Sequence, residues 1–338
     1  MATLCIYGAG SIGCYLGGRL LAAGSDVTFI GRSRVGDELH QHGLALSSFH
    51  GKHGQVEPPN IRFSIDASAA ATADLVLVTV KSAATPEAAR ELAPVLKPGA
   101  IVISFQNGLS NAEVLRAALP RHTVLEGMVP FNVVSRGPGA FHQGTGGELE
   151  VKASPGLQPF VQDFARAGLP LIQHADMLPV QWAKLLLNLN NAINALANRP
   201  LKEELSQRAY RRCLAMAQEE ALRLLSRAGI RPAKLTPLPA TWIPRMLSLP
   251  DGLFARVAGK MLAIDPLARS SMSDDLAAGR ATEVDWISGE VVRLAERLGR
   301  TAPVNARLCA LVHAAEQSAE RPAWSGGALL EELRRAIQ

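Results

Sequence analysis

The string Gly8-Ala-Gly10-Ser-Ile-Gly13 constrains this chain more than any other feature. It stands between an apolar run, Thr3–Tyr7, and a segment with helical spacing from Ser11 to Ala23, and a second apolar run, Asp26–Ile30, follows. In such a β-turn-α-β unit the first glycine allows a tight turn, the second lets a pyrophosphate approach the backbone, and the third lets the helix pack closely on the strand. The sequence therefore predicts a dinucleotide site at the start of the first helix, formed by Gly8, Gly10, Ser11, Ile12 and Gly13.

The rest of the chain divides into two textures. Asp74–Val80 and Ala100–Phe105 are near-continuous apolar runs, which are typical of strands buried on both faces of a parallel sheet. After about Met177, Leu- and Ala-rich helical segments take over, including Pro179–Leu196 and Leu205–Ala228. We predict an α/β protein with an N-terminal Rossmann-type, doubly wound parallel sheet in residues 1–176 and an all-α C-terminal domain in residues 177–338.

Weaker patterns complete the prediction. Further strands are expected at Leu44–Phe49, Gln55–Glu57, His122–Met128 and Leu149–Lys152. Further helices are expected at Pro86–Leu96, Ala112–Ala118, Ala281–Leu298 and Pro303–Ala315. The glycine-rich stretch Gly137–Gly147 indicates a loop or a hairpin, and the proline-rich stretch 230–266 indicates loops with short helices.

Composition narrows the function classes. The formal net charge is +5, without a dense Lys/Arg run, so nucleic-acid binding is not favoured. No segment approaches the roughly 20 apolar residues of a membrane span, and the N-terminus lacks a basic signal region. We therefore expect a cytoplasmic protein whose partner is a small molecule rather than a nucleic acid or a membrane.

The cysteines and histidines do not indicate a metal site. None of the four cysteines forms a CxxC pair, so buried thiols in a reducing compartment are expected. Four histidines cluster in sequence, but their spacing does not define a metal geometry, and we expect surface loop positions for His40, His42, His50 and His53.

The end of the second predicted strand bears on the choice of nucleotide. NAD-binding proteins usually place Asp or Glu there to hold the ribose 2′-hydroxyl, whereas this chain continues Gly31-Arg32-Ser33-Arg34. Arg32 can bind a 2′-phosphate through charge-assisted hydrogen bonds and can stack on the adenine. NADP(H) is favoured over NAD(H), while Arg34 can equally be a solvated loop residue.

Polar side chains at two strand ends suggest where chemistry takes place. Lys81 follows Asp74–Val80 directly, and Asn107 stands just beyond Ala100–Phe105. In an open parallel sheet, ligands bind beyond the carboxyl ends of the strands. Both side chains are thus expected to face a nicotinamide or a substrate, although either one alone is more often structural.

A predicted helix in the second half carries a polar stripe. At about 100° per residue, Lys184, Asn188 and Asn191 lie within a stripe roughly 60° wide, surrounded by leucines. A half-buried lysine there would have its pKa lowered by desolvation and would be a usable acid near neutral pH. On periodicity alone, a solvated helix face or asparagines paired in the core is the better explanation of the stripe.

The order of the motifs resembles the ketopantoate reductase (2-dehydropantoate 2-reductase) family. The motifs are GAGSIG, the strand-end VTVK, QNG, the W-x-K-L-x-x-N helix and SSM…D…GRATEVDWISG, spread from residue 4 to about residue 315. The resemblance implies that NADPH delivers a hydride to the ketone carbon of 2-dehydropantoate and that protonation of the oxygen gives pantoate, a step of pantothenate and coenzyme A biosynthesis.

The resemblance also implies roles for single residues. Lys184 matches the general acid, and Glu283 matches a carboxylate that binds substrate or cofactor hydroxyls. Lys81 matches a lysine near the cofactor, and Asn107 matches a residue at the junction of nicotinamide and substrate. Asn188 and Ser271 match residues that contact the substrate. Asn191 is a further candidate for a substrate contact, one position away from a place where the family carries another asparagine.

Two departures leave the substrate open. Compact members of the family carry a further asparagine where this chain has Ala192, and stretch 230–266 is longer than expected. The alternatives are a reductase of another 2-oxoacid, a 3-hydroxyacid or opine-type dehydrogenase, and a catalytically inactive NADPH-binding sensor. The apolar helices of the second half suit either a homodimer interface or the core of one domain.

Overall fold

A computed structural model describes residues 2–257, 259 and 267–338. The chain divides into two compact units, Met1–Met177 and Leu178–Gln338. The last part of the proline-rich stretch predicted over 230–266 lies outside the described residues, apart from Gly259.

The first unit combines strands and helices. Its strands are β1 (Thr3–Tyr7), β2 (Asp26–Ile30), β3 (Leu44–Ser48), β4 (His53–Val56), β5 (Arg62–Ser64), β6 (Leu75–Val78), β7 (Ile101–Ser104), β8 (Thr123–Met128), β9 (Val133–Ser135), β10 (Ala140–Gln143), β11 (Leu149–Lys152) and β12 (Leu171–His174). Its helices are α1 (Ser11–Ala22), α2 (Ser33–His42), α3 (Thr85–Leu92), α4 (Asn111–Ala118) and α5 (Gln158–Arg166).

The main sheet has the strand order β12-β11-β8-β7-β6-β1-β2-β5. The strands from β8 to β5 are all parallel, which confirms the predicted Rossmann-type sheet. β11 departs from that pattern, because it runs antiparallel to β8 before β12 pairs with it in parallel. Alternate residues of β1 feed cores on opposite faces, Leu4 and Ile6 on one side and Cys5 and Tyr7 on the other.

A second sheet has the order β4-β3-β10-β9. The strands predicted at Leu44–Phe49 and Gln55–Glu57 are β3 and β4, which pair antiparallel. The predicted glycine-rich stretch contains β10, which forms an antiparallel hairpin with β9, a strand that precedes the stretch and was not predicted. Gly137 and Gly139 in its turn have φ of 126° and 65°, a region that favours glycine.

Several elements of the first unit were not predicted. Helix α2 has the sequence SRVGDELHQH, in which only Gly36 and Leu39 are buried, so its apolar pattern is too sparse to read. The expectation of loop positions is therefore wrong for three of the four histidines, since His40 and His42 lie in the last turn of α2 and His53 begins β4. β5, α5 and β12 were missed as well. The bounds of the predicted strands and helices differ from the observed bounds by up to four residues.

The second unit is helical, as predicted. Its helices are α6 (Leu178–Asn188), α7 (Asn190–Ala197), α8 (Leu201–Ser206), α9 (Arg208–Arg227), α10 (Ile243–Leu247), α11 (Asp251–Val257), α12 (Ser271–Ala277), α13 (Val284–Arg297), α14 (Pro303–Gln317) and α15 (Gly326–Arg335).

Two predicted helices are each divided. The helix expected over Pro179–Leu196 breaks at Leu189, within a run of asparagines whose helix propensity is low. The helix expected over Leu205–Ala228 becomes α8 and α9, because Gln207 is extended (φ −97°, ψ 119°). The helix expected from Ala281 begins only at Val284, whose N–H donates to Thr282 Oγ1.

Buried side chains tie these helices together. Arg211 of α9 is fully buried and donates to the carbonyl oxygens of Leu247 and Leu249 and to the carboxylate of Asp251, which fixes the segment that holds α10 and α11. The cysteines are free thiols, and burial raises the pKa of each to about 12. Within the described residues, no helix is long and apolar enough to cross a membrane.

Candidate active site

The turn between β1 and α1 is packed too tightly for any residue but glycine at two positions. Gly8 has φ of 111°, and a Cβ there would lie 2.6 Å from the backbone nitrogen of Val80. A Cβ on Gly13 would lie 2.2 Å from the carbonyl oxygen of Gly8. The N–H groups of Gly8 and Ala9 donate to Ile30 O at 2.9 and 3.0 Å. The start of α1 is thereby held at the carboxyl ends of β1, β2 and β6.

This turn fits the phosphates of a dinucleotide. Gly10 is the N-cap of α1, provides no side-chain cap, and has no atom within 4 Å of the position where a Cβ would stand. The first turn of α1 contains no acidic residue. The N–H groups of Ser11, Ile12 and Gly13 have no acceptor within the helix, so they are available to an anion. Open space beside an uncapped helix N-terminus is what a pyrophosphate needs.

The arginines after β2 differ in their surroundings. Arg32 is the N-cap residue of α2 and is exposed. Arg34 is also exposed, but its guanidinium lies 3.5 Å from the carboxylate of Glu38, one turn further along the helix. Glu38 in turn accepts the N–H of Gly139 at 2.8 Å, so it is held in place. Arg32 is accordingly the better placed of the two for a 2′-phosphate.

The loops that carry Lys81 and Asn107 are joined by a buried hydrogen-bond network. Ser82 Oγ donates to the carbonyl oxygen of Asn107 at 3.0 Å. Asn111 Nδ2 donates to the same oxygen at 2.6 Å and to Ser82 Oγ at 3.1 Å. Lys81 and Asn107 therefore emerge from two strand ends whose separation is fixed by neighbouring side chains.

Two further side chains complete that network. Thr85 Oγ1 donates to Asn111 Oδ1 at 2.8 Å and accepts from Gln106 Nε2 at 2.7 Å. Gln106 Nε2 also reaches the carbonyl oxygen of Val80 at 3.0 Å. Sequence reasoning missed these positioning residues. Asparagine at the start of a predicted helix was the only signal, and it is equally typical of an ordinary cap.

In the second unit, Lys184 and Asn188 lie one turn apart on α6 and are both half-buried. Burial lowers the pKa of Lys184 to about 8. The predicted single stripe is interrupted, because Asn191 lies beyond the break, on α7. A lysine with this pKa holds a proton at neutral pH and releases it readily, as a general acid must.

Asn191 and the start of α12 are in direct contact. Ser270, the N-cap of α12, donates its hydroxyl to the carbonyl oxygen of Asn191 at 3.3 Å and accepts the N–H of Ser273 at 3.2 Å. Ser271 follows as the first residue of α12 and is exposed. The structure thus brings two of the predicted substrate-binding residues, Asn191 and Ser271, to neighbouring elements.

Glu283 is the residue immediately before α13. The helix predicted from Ala281 would have placed it in the first turn. Its neighbour Thr282 is buried, and the N–H of Thr282 donates to the carboxylate of Glu316 at 2.7 Å. That bond anchors the chain where Glu283 is presented. Over the part of the chain that the structure describes, no group of three or more His, Cys, Asp or Glu is arranged to hold a metal ion.

The second and third glycines of the motif, Gly10 and Gly13, give a matched pair of variants. We expect Gly13→Ala to lower the stability of the nucleotide-free protein by about 1–3 kcal/mol, because its Cβ meets backbone. Gly10 has an ordinary φ of −86° and open space around it, so Gly10→Ala should leave the melting temperature unchanged and weaken NADPH binding. Thermal unfolding without nucleotide and calorimetric NADPH titration measure the two effects. Wild-type NADPH affinity in Gly10→Ala would refute the assignment of the pyrophosphate to this turn.

Comparison with known proteins agrees with the fold and the motifs. The family described as Ketopantoate reductase PanE/ApbA matches residues 4–156, and Ketopantoate reductase PanE/ApbA C terminal matches residues 176–316. A 2-dehydropantoate 2-reductase of Halobacterium salinarum is 30% identical over 319 residues, which cover 92% of this chain and 98% of the relative.

Solved structures give the same result. A PanE/ApbA family ketopantoate reductase from Ralstonia eutropha JMP134 superposes with a TM-score of 0.79 at 31% identity, covering 93% of this chain and 98% of that one. A D-mandelate dehydrogenase solved with NADH and anilino(oxo)acetate shares the fold, with a TM-score of 0.74 at 18% identity, covering 93% of this chain and 98% of that one. The chain therefore belongs to the ketopantoate reductase family and is an oxidoreductase that acts on a CH–OH group.

Proposed function

We propose that the protein reduces 2-dehydropantoate to pantoate with NADPH, and that Lys184 is the general acid. The observation that carries the proposal is the pKa of about 8 that burial gives Lys184, in a chain of this family. A lysine that ionises near neutral pH is rare unless it is desolvated, and catalytic acids are among the groups that need such a pKa.

The first unit supplies the cofactor site. The uncapped start of α1 binds the pyrophosphate, and Arg32 binds the 2′-phosphate and stacks on the adenine. Lys81 and Asn107 orient the nicotinamide end, and the network around Asn111 keeps their two loops in register. Bound NADPH supplies the hydride that the ketone carbon receives.

The second unit supplies the proton and holds the oxoacid. As negative charge develops on the ketone oxygen, the ammonium group of Lys184 stabilises it and then donates a proton from Nζ. The oxygen becomes the hydroxyl of the product, and Lys184 is left neutral until it takes a proton from solvent. Asn188, Asn191 and Ser271 bind the oxoacid, and Glu283 accepts a hydrogen bond from a substrate or cofactor hydroxyl.

One observation favours a second candidate, a reductase of a different 2-oxoacid. The family resemblance implies an asparagine at the position of Ala192, whose side chain is fully buried. The adjacent residue, Asn191, is half-buried, and its backbone carbonyl oxygen accepts a hydrogen bond from the Ser270 hydroxyl. With one amide fewer beside the residues proposed to bind the oxoacid, an acid with a less polar tail is the second candidate. A D-mandelate dehydrogenase of the same fold, solved with NADH and anilino(oxo)acetate, supports this alternative.

The substrate is tested by NADPH oxidation at varied oxoacid concentration. The panel is 2-dehydropantoate, phenylglyoxylate and unbranched 2-oxoacids, with NADH run in parallel. We expect 2-dehydropantoate to give the highest kcat/KM, and NADPH to be preferred over NADH. Faster turnover of another oxoacid would keep the mechanism and replace the substrate. Tight NADPH binding without turnover of any member would refute the proposed function in favour of a sensor.

The role of Lys184 predicts both a loss of rate and a change of pH profile. We expect Lys184→Met to lower kcat by about 100- to 10,000-fold, the range found for removal of a general acid. In the wild type, kcat should fall as pH rises through about 8, because the lysine then loses its proton. Lys234→Met, which removes an exposed lysine of the same unit, is the control and should behave as the wild type. A Lys184→Met enzyme with undiminished kcat would contradict the assignment.

The network behind Lys81 and Asn107 predicts a rate effect from a residue that touches no ligand. Thr85→Val keeps the shape of a buried side chain but removes its bonds to Asn111 and Gln106. We expect kcat to fall about tenfold, the size of a broken buried hydrogen bond, with little change in the Kd of NADPH. Thr85→Ser retains the hydroxyl and should recover most of the rate. Equal kcat in Thr85→Val and the wild type would mean that the network does not position the loops.

A further inference from the structure

Helix α8 contains a carboxyl group that is completely removed from solvent. Glu204 is 0% exposed, and its Oε2 accepts hydrogen bonds from Asn194 Nδ2 at 2.8 Å and Asn190 Nδ2 at 3.2 Å. Within the described residues, neither a lysine nor an arginine forms an ion pair with it. A buried carboxylate without a cation is costly, so an acid that remains here does so in its neutral form.

Two orphaned atoms beside it agree with a proton on Glu204. Glu204 Oε1 and Asn190 Oδ1 are both buried acceptors to which no described group donates. A carboxylic acid brings one O–H donor to this cluster, whereas a carboxylate brings none. Burial raises the pKa of Glu204 to about 8, against the lowering effect of the two asparagine amides. Glu204 is therefore neutral at physiological pH.

Asn194 connects this carboxyl group to the start of α12. Its Nδ2 donates to Glu204 and to Arg199 O at 3.0 Å, which leaves Oδ1 to accept the backbone N–H of Ser270 at 2.9 Å. Asn194 is fully buried, and Ser270 is the N-cap of α12. The backbone N–H of Leu201, at the start of α8, donates a hydrogen bond to the carbonyl oxygen of Ala268 at 2.8 Å. The approach to α12 is thus fastened to α7 and α8 from both sides.

None of the other titratable or polar side chains described near Glu204 supplies a cation that would neutralise it. On α9, burial raises the pKa of Tyr210 and of Cys213, and the nearby Glu204 raises both further, so these two groups are neutral over the working range. The Arg199 guanidinium pairs with Glu203 on the exposed side of α8. Arg269 donates to Asn198 Oδ1 at 3.1 Å. Asn190 and Asn194 of α7 are uncharged.

We propose that Glu204, as a neutral carboxylic acid, is a positioning residue of the oxoacid site. It holds Asn194, Asn194 holds Ser270, and Ser270 sets the start of the helix that presents Ser271. The link to an oxoacid rests on the proposed function, whereas the link to α12 does not. If local opening of this cluster lets water reach Glu204, the open form ionises near the ordinary pKa and the closed form only near 8. Opening then becomes more favourable as pH rises towards 8.

The test is hydrogen–deuterium exchange of the full-length, NADPH-loaded protein without oxoacid, read over residues 268–278. After correction for intrinsic exchange, we expect protection to fall about tenfold per pH unit between about pH 5.5 and 7.5 in the wild type, since the open form releases one proton. In Glu204→Gln, which imitates the neutral acid, protection should be independent of pH. Glu203→Gln, the adjacent exposed position, is the matched control and should follow the wild type.

The outcomes separate the two claims. Parallel pH trends in the wild type and Glu204→Gln, or failure of Glu204→Gln to fold, would overturn the role of Glu204, because an amide replaces a neutral acid at little cost. Asn194→Ala should raise the KM of the oxoacid about three- to tenfold, the size of one hydrogen bond, with the KM of NADPH unchanged. An unchanged KM for the oxoacid would overturn the link to the substrate. Absence of turnover with every oxoacid would count against the proposed function alone, since the exchange result does not depend on it.

Discussion

The packing of the β1–α1 turn against the ends of its neighbouring strands is the constraint on which the rest of the site depends. A methyl group added to Gly13 would clash with the carbonyl oxygen of Gly8, and one added to Gly8 would clash with the backbone of Val80. This contact places the N-terminus of α1 beside the strand end that leads into Lys81. A pyrophosphate bound there lies next to the residues proposed to orient the nicotinamide. A Cβ on Gly10, by contrast, would meet no other atom within 4 Å, so the fold itself does not require glycine there, and the proposed ligand does.

Both units position the residues proposed for the site through buried amides. In the first unit, Asn111 bridges the loops of Lys81 and Asn107. In the second unit, Asn194 joins Glu204 to the N-terminus of α12. An asparagine is suited to this task because one side chain donates twice and accepts twice at a fixed angle. Loops held in this way keep their geometry without a ligand, which reduces the ordering cost of binding.

The sequence predicts the fold well where patterns are strong, and less well elsewhere. The apolar runs of β1 and β2 have the predicted bounds, because buried strands need continuous apolar residues. Helix α2 escaped notice because it buries only one large apolar side chain. The break at Leu189 was missed because periodicity does not change across it. Lys184 was identified by spacing and by family resemblance, but its lowered pKa depends on burial that only the fold provides. Glu204 gave no signal, since Lys-Glu-Glu-Leu looks like an exposed helix.

The central claim is that the protein transfers a hydride from NADPH to the ketone carbon of 2-dehydropantoate. The most direct measurement uses NADPH deuterated at nicotinamide C4, with 2-dehydropantoate as the acceptor and mass spectrometry of the product. The account predicts pantoate that carries one deuterium at C2 when the transferred face is labelled, and none when the opposite face is labelled. Product without deuterium from either labelled form, or no product at all, would contradict it.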